Sequence, residues 1–221
     1  YEIGVRLVGS EMCIRDRTFT SMLANVSNMI PGDSEKATYK SGWVISKFWT
    51  PKVHTERNIF HCFNLRVNSI YRGKKELSEI DDSLINLFVQ DSNNLENIED
   101  ESIDYIFTDP PYGESIAYLA LSQFWNSWLK YDVDYDNEII IDSYRNKGYT
   151  DFSDRIYKSF SEMYRVLKDR HYLSFTFHNR DLNVWKGVMD AVVKSGFQLI
   201  DITLQEQAVS SGTQGCLLYT S

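Results

Sequence analysis

Two periods of apolar spacing run along the chain. Residues recurring every three or four positions predict amphipathic helices. They are Phe19, Met22, Leu23, Val26 and Met29 within Thr18 to Met29, and Ile59, Phe63, Val67 and Ile70 within Glu56 to Lys75. The same spacing marks Phe152, Ile156, Phe160, Met163 and Leu167 within Asp151 to Lys168, and Ile116 to Tyr131 reads as a helix carrying Leu119, Phe124, Trp125, Trp128 and Leu129. Pro31-Gly32-Asp33 should end the first helix. A further helix is expected over Leu182 to Ser195, with Gly196 as a left-handed cap. Short runs rich in β-formers predict strands at Leu84 to Val89, Ile103 to Thr108, Tyr172 to Phe177 and Phe197 to Gln205. Trp43 to Trp49 is also compatible with an extended segment, and Leu95 to Glu99 with a helical turn. Asp132 to Thr150 reads as a surface connection. From residue 84 the order is strand, strand, helix, helix, strand, helix, strand. That is an α/β pattern, the second half of a doubly wound sheet, preceded by a mainly helical segment.

The stretch Ile103 to Gly113 organises the rest. After the strand, Pro110 and Pro111 fix two φ angles and remove two backbone donors, so Asp109-Pro-Pro-Tyr-Gly113 forms a stiff loop. In an open α/β sheet, ligands bind outside the carboxyl ends of the strands. The loop puts a carboxylate, backbone carbonyls and an aromatic ring there. The exocyclic amino group of a nucleobase is a poor nucleophile because its lone pair is conjugated into the ring. Asp109 and the Pro110 carbonyl are suited to accept its two N–H bonds and turn the lone pair outward. Tyr112 is suited to stack on the base. Such stacking is worth about 1–3 kcal/mol, comparable with the few kcal/mol needed to flip a base from its duplex. A plain Pro-Pro turn closing an ordinary strand is the alternative.

Asp109-Pro110-Pro111-Tyr112 resembles the signature of the DNA amino-methyltransferases, which use S-adenosylmethionine to methylate adenine N6 or cytosine N4. Gly113 to Tyr118 and Leu121 to Leu129 are similar to the helix that follows this loop in some adenine-specific members. The resemblance implies a partial Rossmann-like class I methyltransferase fold, with DNA as partner and adenine favoured over cytosine. It implies catalytic roles for Asp109, Pro110, Pro111 and Tyr112, with Tyr112 and Gly113 also against the base. It makes Asp91, after the preceding strand, a candidate contact for the cofactor's adenine, with Asp109 beside the cofactor; an Asp capping a turn reads equally well. His178 and Asn179 end the strand expected beside Asp109, where they line the pocket or cap the strand. The loop Ser210 to Gly215 is expected to face the site.

The family's glycine-rich cofactor turn resembles Asp-Pro-Phe-x-Gly-x-Gly, and none of the 11 glycines here forms Gly-x-Gly. The expectation is a fragment that transfers little or nothing alone. Tyr1 to Arg17 and Cys216 to Ser221 resemble translated sequencing-adapter remnants, or are frayed termini. The expected division is therefore residues 1–17 and 216–221 as artefact, 18–80 as a basic, mainly helical segment, and 81–215 as partial catalytic domain.

Composition changes this picture in one respect. The chain of 221 residues carries a net charge of −8, which argues against general attraction to nucleic acid. Yet Lys36 to Lys75 holds nine Lys or Arg against Glu56 alone, and Glu76 to Pro110 holds eleven acidic residues and no base. The basic stretch is interleaved with Tyr39, Trp43, Phe48, Trp49 and Tyr71, a mixture suited to phosphate contact and stacking, or to a solvated face over a core. Cys13, Cys62 and Cys216 share no metal spacing, so no metal is expected, and reduced thiols in a cytoplasm are. No apolar run is long enough to span a membrane. Two other readings use the same turn: an RNA or protein-amide methyltransferase, and a noncatalytic DNA-binding subunit.

Overall fold

The computed structural model describes residues 11–32, 50–79, 86, 90–130 and 132–203. Five helices and two strands occur among them: α1 (Glu11–Leu23), α2 (Ile59–Glu76), β1 (Ile103–Thr108), α3 (Tyr118–Leu129), α4 (Tyr149–Val166), β2 (Leu167–Phe175) and α5 (Leu182–Lys194). The segment Trp43 to Trp49, most of the strand expected at Leu84 to Val89, and the loop Ser210 to Gly215 lie outside the described residues.

The strands pair in parallel. Tyr105 lies opposite Tyr172, Ile106 opposite Leu173, Phe107 opposite Ser174 and Thr108 opposite Phe175. Side chains alternate across a sheet, so this register sorts them into two sets. Ile106, Leu173 and Phe175 are partly buried, and the last two pack on a core of Phe152, Ile156 and Phe160 from α4 and Val184, Val188, Ala191 and Val192 from α5. Tyr105, Phe107 and Tyr172 form the other set and remain 54%, 67% and 61% exposed.

The helices follow from local chemistry. Asp181 caps α5 by accepting the Asn183 amide at 2.8 Å, and Asn58 caps α2 by accepting the His61 amide at 3.0 Å. Gly196, at φ +106°, takes the left-handed conformation expected after α5. Phe19 of α1 meets Trp128 of α3 edge-on at 5.4 Å. The Trp125 indole N–H donates to the Thr20 carbonyl at 2.9 Å.

Several boundaries differ from expectation. The first helix reaches back to Glu11 and ends at Leu23, followed by a 3-10 turn over Ala24–Val26. There Ser27 Oγ donates to the Ala24 carbonyl at 2.9 Å and accepts the Met29 amide at 3.3 Å, local bonds that compete with the helix ladder. β2 starts at Leu167 rather than Tyr172, directly after α4, and its pairing with β1 is irregular before Tyr172. Phe197 to Thr203 forms no strand. Phe197 packs edge-on against Tyr164 at 5.1 Å, but Ile200 is 75% exposed. A run of β-formers alone does not make a strand, and among the described residues no neighbour supplies a ladder here.

The 132–150 connection is built from more than surface residues, since Glu138, Ile140 and Lys147 are buried. Glu138 accepts the Leu119 amide at the start of α3 at 2.9 Å and pairs with Arg145 at 2.7 Å. Lys147 donates to the carbonyls of Asp136 and Glu138 at 2.8 and 2.7 Å. These partners satisfy charges that would otherwise be costly to bury.

Candidate active site

The parallel register carries one step past both strands. The Thr176 amide donates to the Thr108 carbonyl at 3.1 Å, which sets Thr176 beside Asp109. The Thr176 hydroxyl then donates to Asp109 Oδ1 at 2.9 Å. The Tyr112 hydroxyl donates to the same oxygen at 2.5 Å. Among the described residues both donors converge on Oδ1 and none reaches Oδ2. Pro110 is buried, and no donor among the described residues takes its carbonyl. The loop thus keeps one carboxylate oxygen and one backbone carbonyl as unused acceptors.

The turn is held in place by its neighbours. The Tyr112 carbonyl accepts the Ser115 amide at 3.2 Å and the Asn179 side-chain amide at 2.8 Å. Asn179 is buried. Its side-chain oxygen accepts the Asp181 amide at 2.7 Å, and its backbone carbonyl accepts the Trp185 indole N–H at 2.9 Å. Gly113 sits at φ +65°, and a Cβ there would stand 3.2 Å from Val184 Cγ1 and 3.3 Å from both Asn179 Nδ2 and Ile141 Cδ1. Both the left-handed conformation and the close packing call for glycine.

An aromatic series supports the ring. Phe177 meets Tyr112 edge-on at 5.5 Å, and Trp185 meets Phe177 edge-on at 4.9 Å. The Tyr112 phenol is pushed up to about 12, first by burial and then by its bond to the Asp109 carboxylate. Burial also raises Tyr118, with a further push from the Asp109 charge. Both phenols stay neutral at ordinary pH. An open cleft of about 2070 Å³ runs past Tyr105, Phe107, Tyr112, Phe177 and Trp185.

The structure brings Asp109, Pro110, Pro111, Tyr112, Gly113 and Asn179 together. His178 is exposed and lines the cleft. Asp91 is exposed and closes a turn, accepting the Asn93 amide at 2.9 Å. No hydrogen bond or ion pair among the described residues joins it to the Asp109 loop. Thr176, Phe177, Trp185 and Tyr118 were missed as site residues. Thr176 and Phe177 lie within the strand expected at 172–177, but nothing in the sequence states which of its residues faces Asp109. Among the described residues, no group of three His, Cys, Asp or Glu is placed to hold a metal ion. No described helix is long and apolar enough to cross a membrane.

A carboxylate and an aromatic ring thus stand on one turn at the carboxyl end of a parallel strand. A family model described as DNA methylase matches residues 103–214, half of the chain and all of this site. The chain belongs to the DNA methylase family. No curated protein and no solved structure matches it.

Proposed function

We propose that this site orients the exocyclic amino group of a flipped DNA base for methylation from S-adenosylmethionine, with adenine N6 favoured over cytosine N4. One observation carries the reading. Asp109 Oδ2 and the Pro110 carbonyl accept no hydrogen bond among the described residues, on a turn whose Tyr112 carbonyl is held by Asn179 and whose ring meets Phe177. Two acceptors on one rigid loop match the two N–H bonds of an amino group. With both N–H bonds held, the nitrogen lone pair points away from the base plane. The carboxylate also favours the positive charge that develops on nitrogen as its bond to the methyl carbon forms. Tyr112 stacks on the extruded base and offsets part of the cost of flipping. The preference for adenine rests on the similarity of Gly113 to Tyr118 and Leu121 to Leu129 to adenine-specific members.

S-adenosylmethionine would supply an electrophilic methyl carbon. Asp91 is the candidate for its adenine, and Asp109 lies next to the reacting centre. The methionine end finds no glycine-rich turn in this sequence, since none of its 11 glycines forms Gly-x-Gly. Residues 18–215 alone are therefore expected to bind this cofactor poorly and to transfer little or nothing.

The test is to incubate the complete gene product with labelled S-adenosylmethionine and DNA, RNA or protein in competition, then to identify the methylated product by mass spectrometry. N6-methyladenine in DNA is expected. Label only in RNA or in protein amides would overturn the reading. DNA binding with no transfer would favour a noncatalytic subunit.

A further inference from the structure

We propose that Thr176 is a positioning residue for methyl transfer, fixing which oxygen of Asp109 faces the substrate. The inference rests on the functional reading above and goes one residue beyond it. A carboxylate on a loop has two equivalent oxygens and rotates about its Cβ–Cγ bond. Here two hydroxyls, from Thr176 and Tyr112, donate to Oδ1 at 2.9 and 2.5 Å. Oδ1 is thereby occupied, the rotation is stopped, and Oδ2 is left as the acceptor for the amino group.

The two donors are not equivalent in origin. Tyr112 belongs to the same turn as Asp109 and moves with it. It is also the ring proposed to stack on the base, so its hydroxyl must keep one position as the ring takes up its load. Thr176 directly follows the other strand, β2. Its backbone amide is bonded to the Thr108 carbonyl at 3.1 Å, so its hydroxyl is referenced to the sheet. β-branching adds stiffness, because threonine has few χ1 states. Thr176 thus ties the reactive carboxylate to the rigid part of the fold. Asn179, three residues on, ties the Tyr112 carbonyl to the same segment at 2.8 Å. One stretch after β2 therefore positions both ends of the turn. Serine keeps the hydroxyl at this position, and valine keeps the shape without it.

The experiment measures steady-state methyl transfer by the complete gene product as wild type, Thr176→Val, Thr176→Ser and Asp109→Ala. Base flipping is followed in the same proteins by the fluorescence of 2-aminopurine at the target position. Thr176→Val is expected to lower kcat roughly tenfold, with KM for DNA and the 2-aminopurine signal unchanged. Thr176→Ser is expected to restore most of kcat. A role confined to folding would lower flipping and transfer together and would not be rescued selectively by a hydroxyl. Wild-type kcat in Thr176→Val, or equal loss in the Val and Ser variants, overturns the inference. Asp109→Ala separates the two levels. If it is silent while Thr176→Val is fully active, only the positioning role fails. If Asp109→Ala keeps full transfer, the reading of the site fails, and the positioning role with it.

Discussion

The two faces of the parallel β1–β2 pair differ in what they present. On one face Ile106, Leu173 and Phe175 point toward α4 and α5, with Phe160 meeting Phe175 edge-on at 5.4 Å. On the other, Tyr105, Phe107 and Tyr172 remain largely exposed, and the next alternating pair is Asp109 and Thr176, joined by a 2.9 Å hydrogen bond. Burial on the first face supplies the stiffness, and the second carries the proposed chemistry at its end. The lesson is that the carboxylate is positioned by a core it does not touch. Its strand is held from the opposite side, and its loop by Asn179 and Trp185 at the start of α5.

This contrast predicts a ranking of effects on stability. Phe160→Ala removes a ring that is 1% exposed, and is expected to cost about 3–5 kcal/mol in chemical denaturation. Gly113→Ala should cost about 1–2 kcal/mol, because alanine is strained in the left-handed region and its Cβ would crowd Val184, Asn179 and Ile141. A wild-type denaturation midpoint in that variant would show that the turn is not held as described.

Tyr112 gives a pH test. Its phenol is raised from 10.0 to about 12, so the folded state holds this proton longer than the unfolded chain. Its contribution to stability is complete below about pH 10 and is lost as pH rises through about 12. In ring-labelled protein followed by NMR, Tyr112 is expected to titrate only as pH approaches about 12, and Tyr112→Phe should remove that component. The smallest effect is expected on the open face. Phe107→Ser, at a position 67% exposed, should change stability by no more than about 0.5 kcal/mol. A large loss there would mean that this face is covered in solution.

Much of this was legible from local patterns. Ile103 to Thr108 stands where the β-forming run and the double proline put it, and α4 and α5 fall within two residues of their expected ends. The Asp-Pro-Pro-Tyr loop was readable because its proposed chemistry is contained in four consecutive residues. Other features depend on partners far along the chain. Thr176 and Asp109 are 67 positions apart, and only strand register brings them together. The start of β2 was hidden because Lys168, Asp169, Arg170 and His171 look like the polar end of a helix. The 132–150 connection looked exposed because it is charged, yet Glu138 and Lys147 are buried through ion pairing and carbonyl contacts. Phe197 to Thr203 differs because a run of β-formers reports a preference for strand, and no ladder is present among the described residues to satisfy it.

The most direct test of the central claim is methyl transfer to DNA by the complete gene product, wild type against Asp109→Ala, with folding monitored by circular dichroism. A carboxylate that accepts the amino group predicts a loss of at least about a hundredfold in turnover, with the fold and DNA binding retained. Turnover within a few-fold of wild type in the folded variant would contradict the account, because the loop would then be a strand terminator and the chemistry would lie elsewhere.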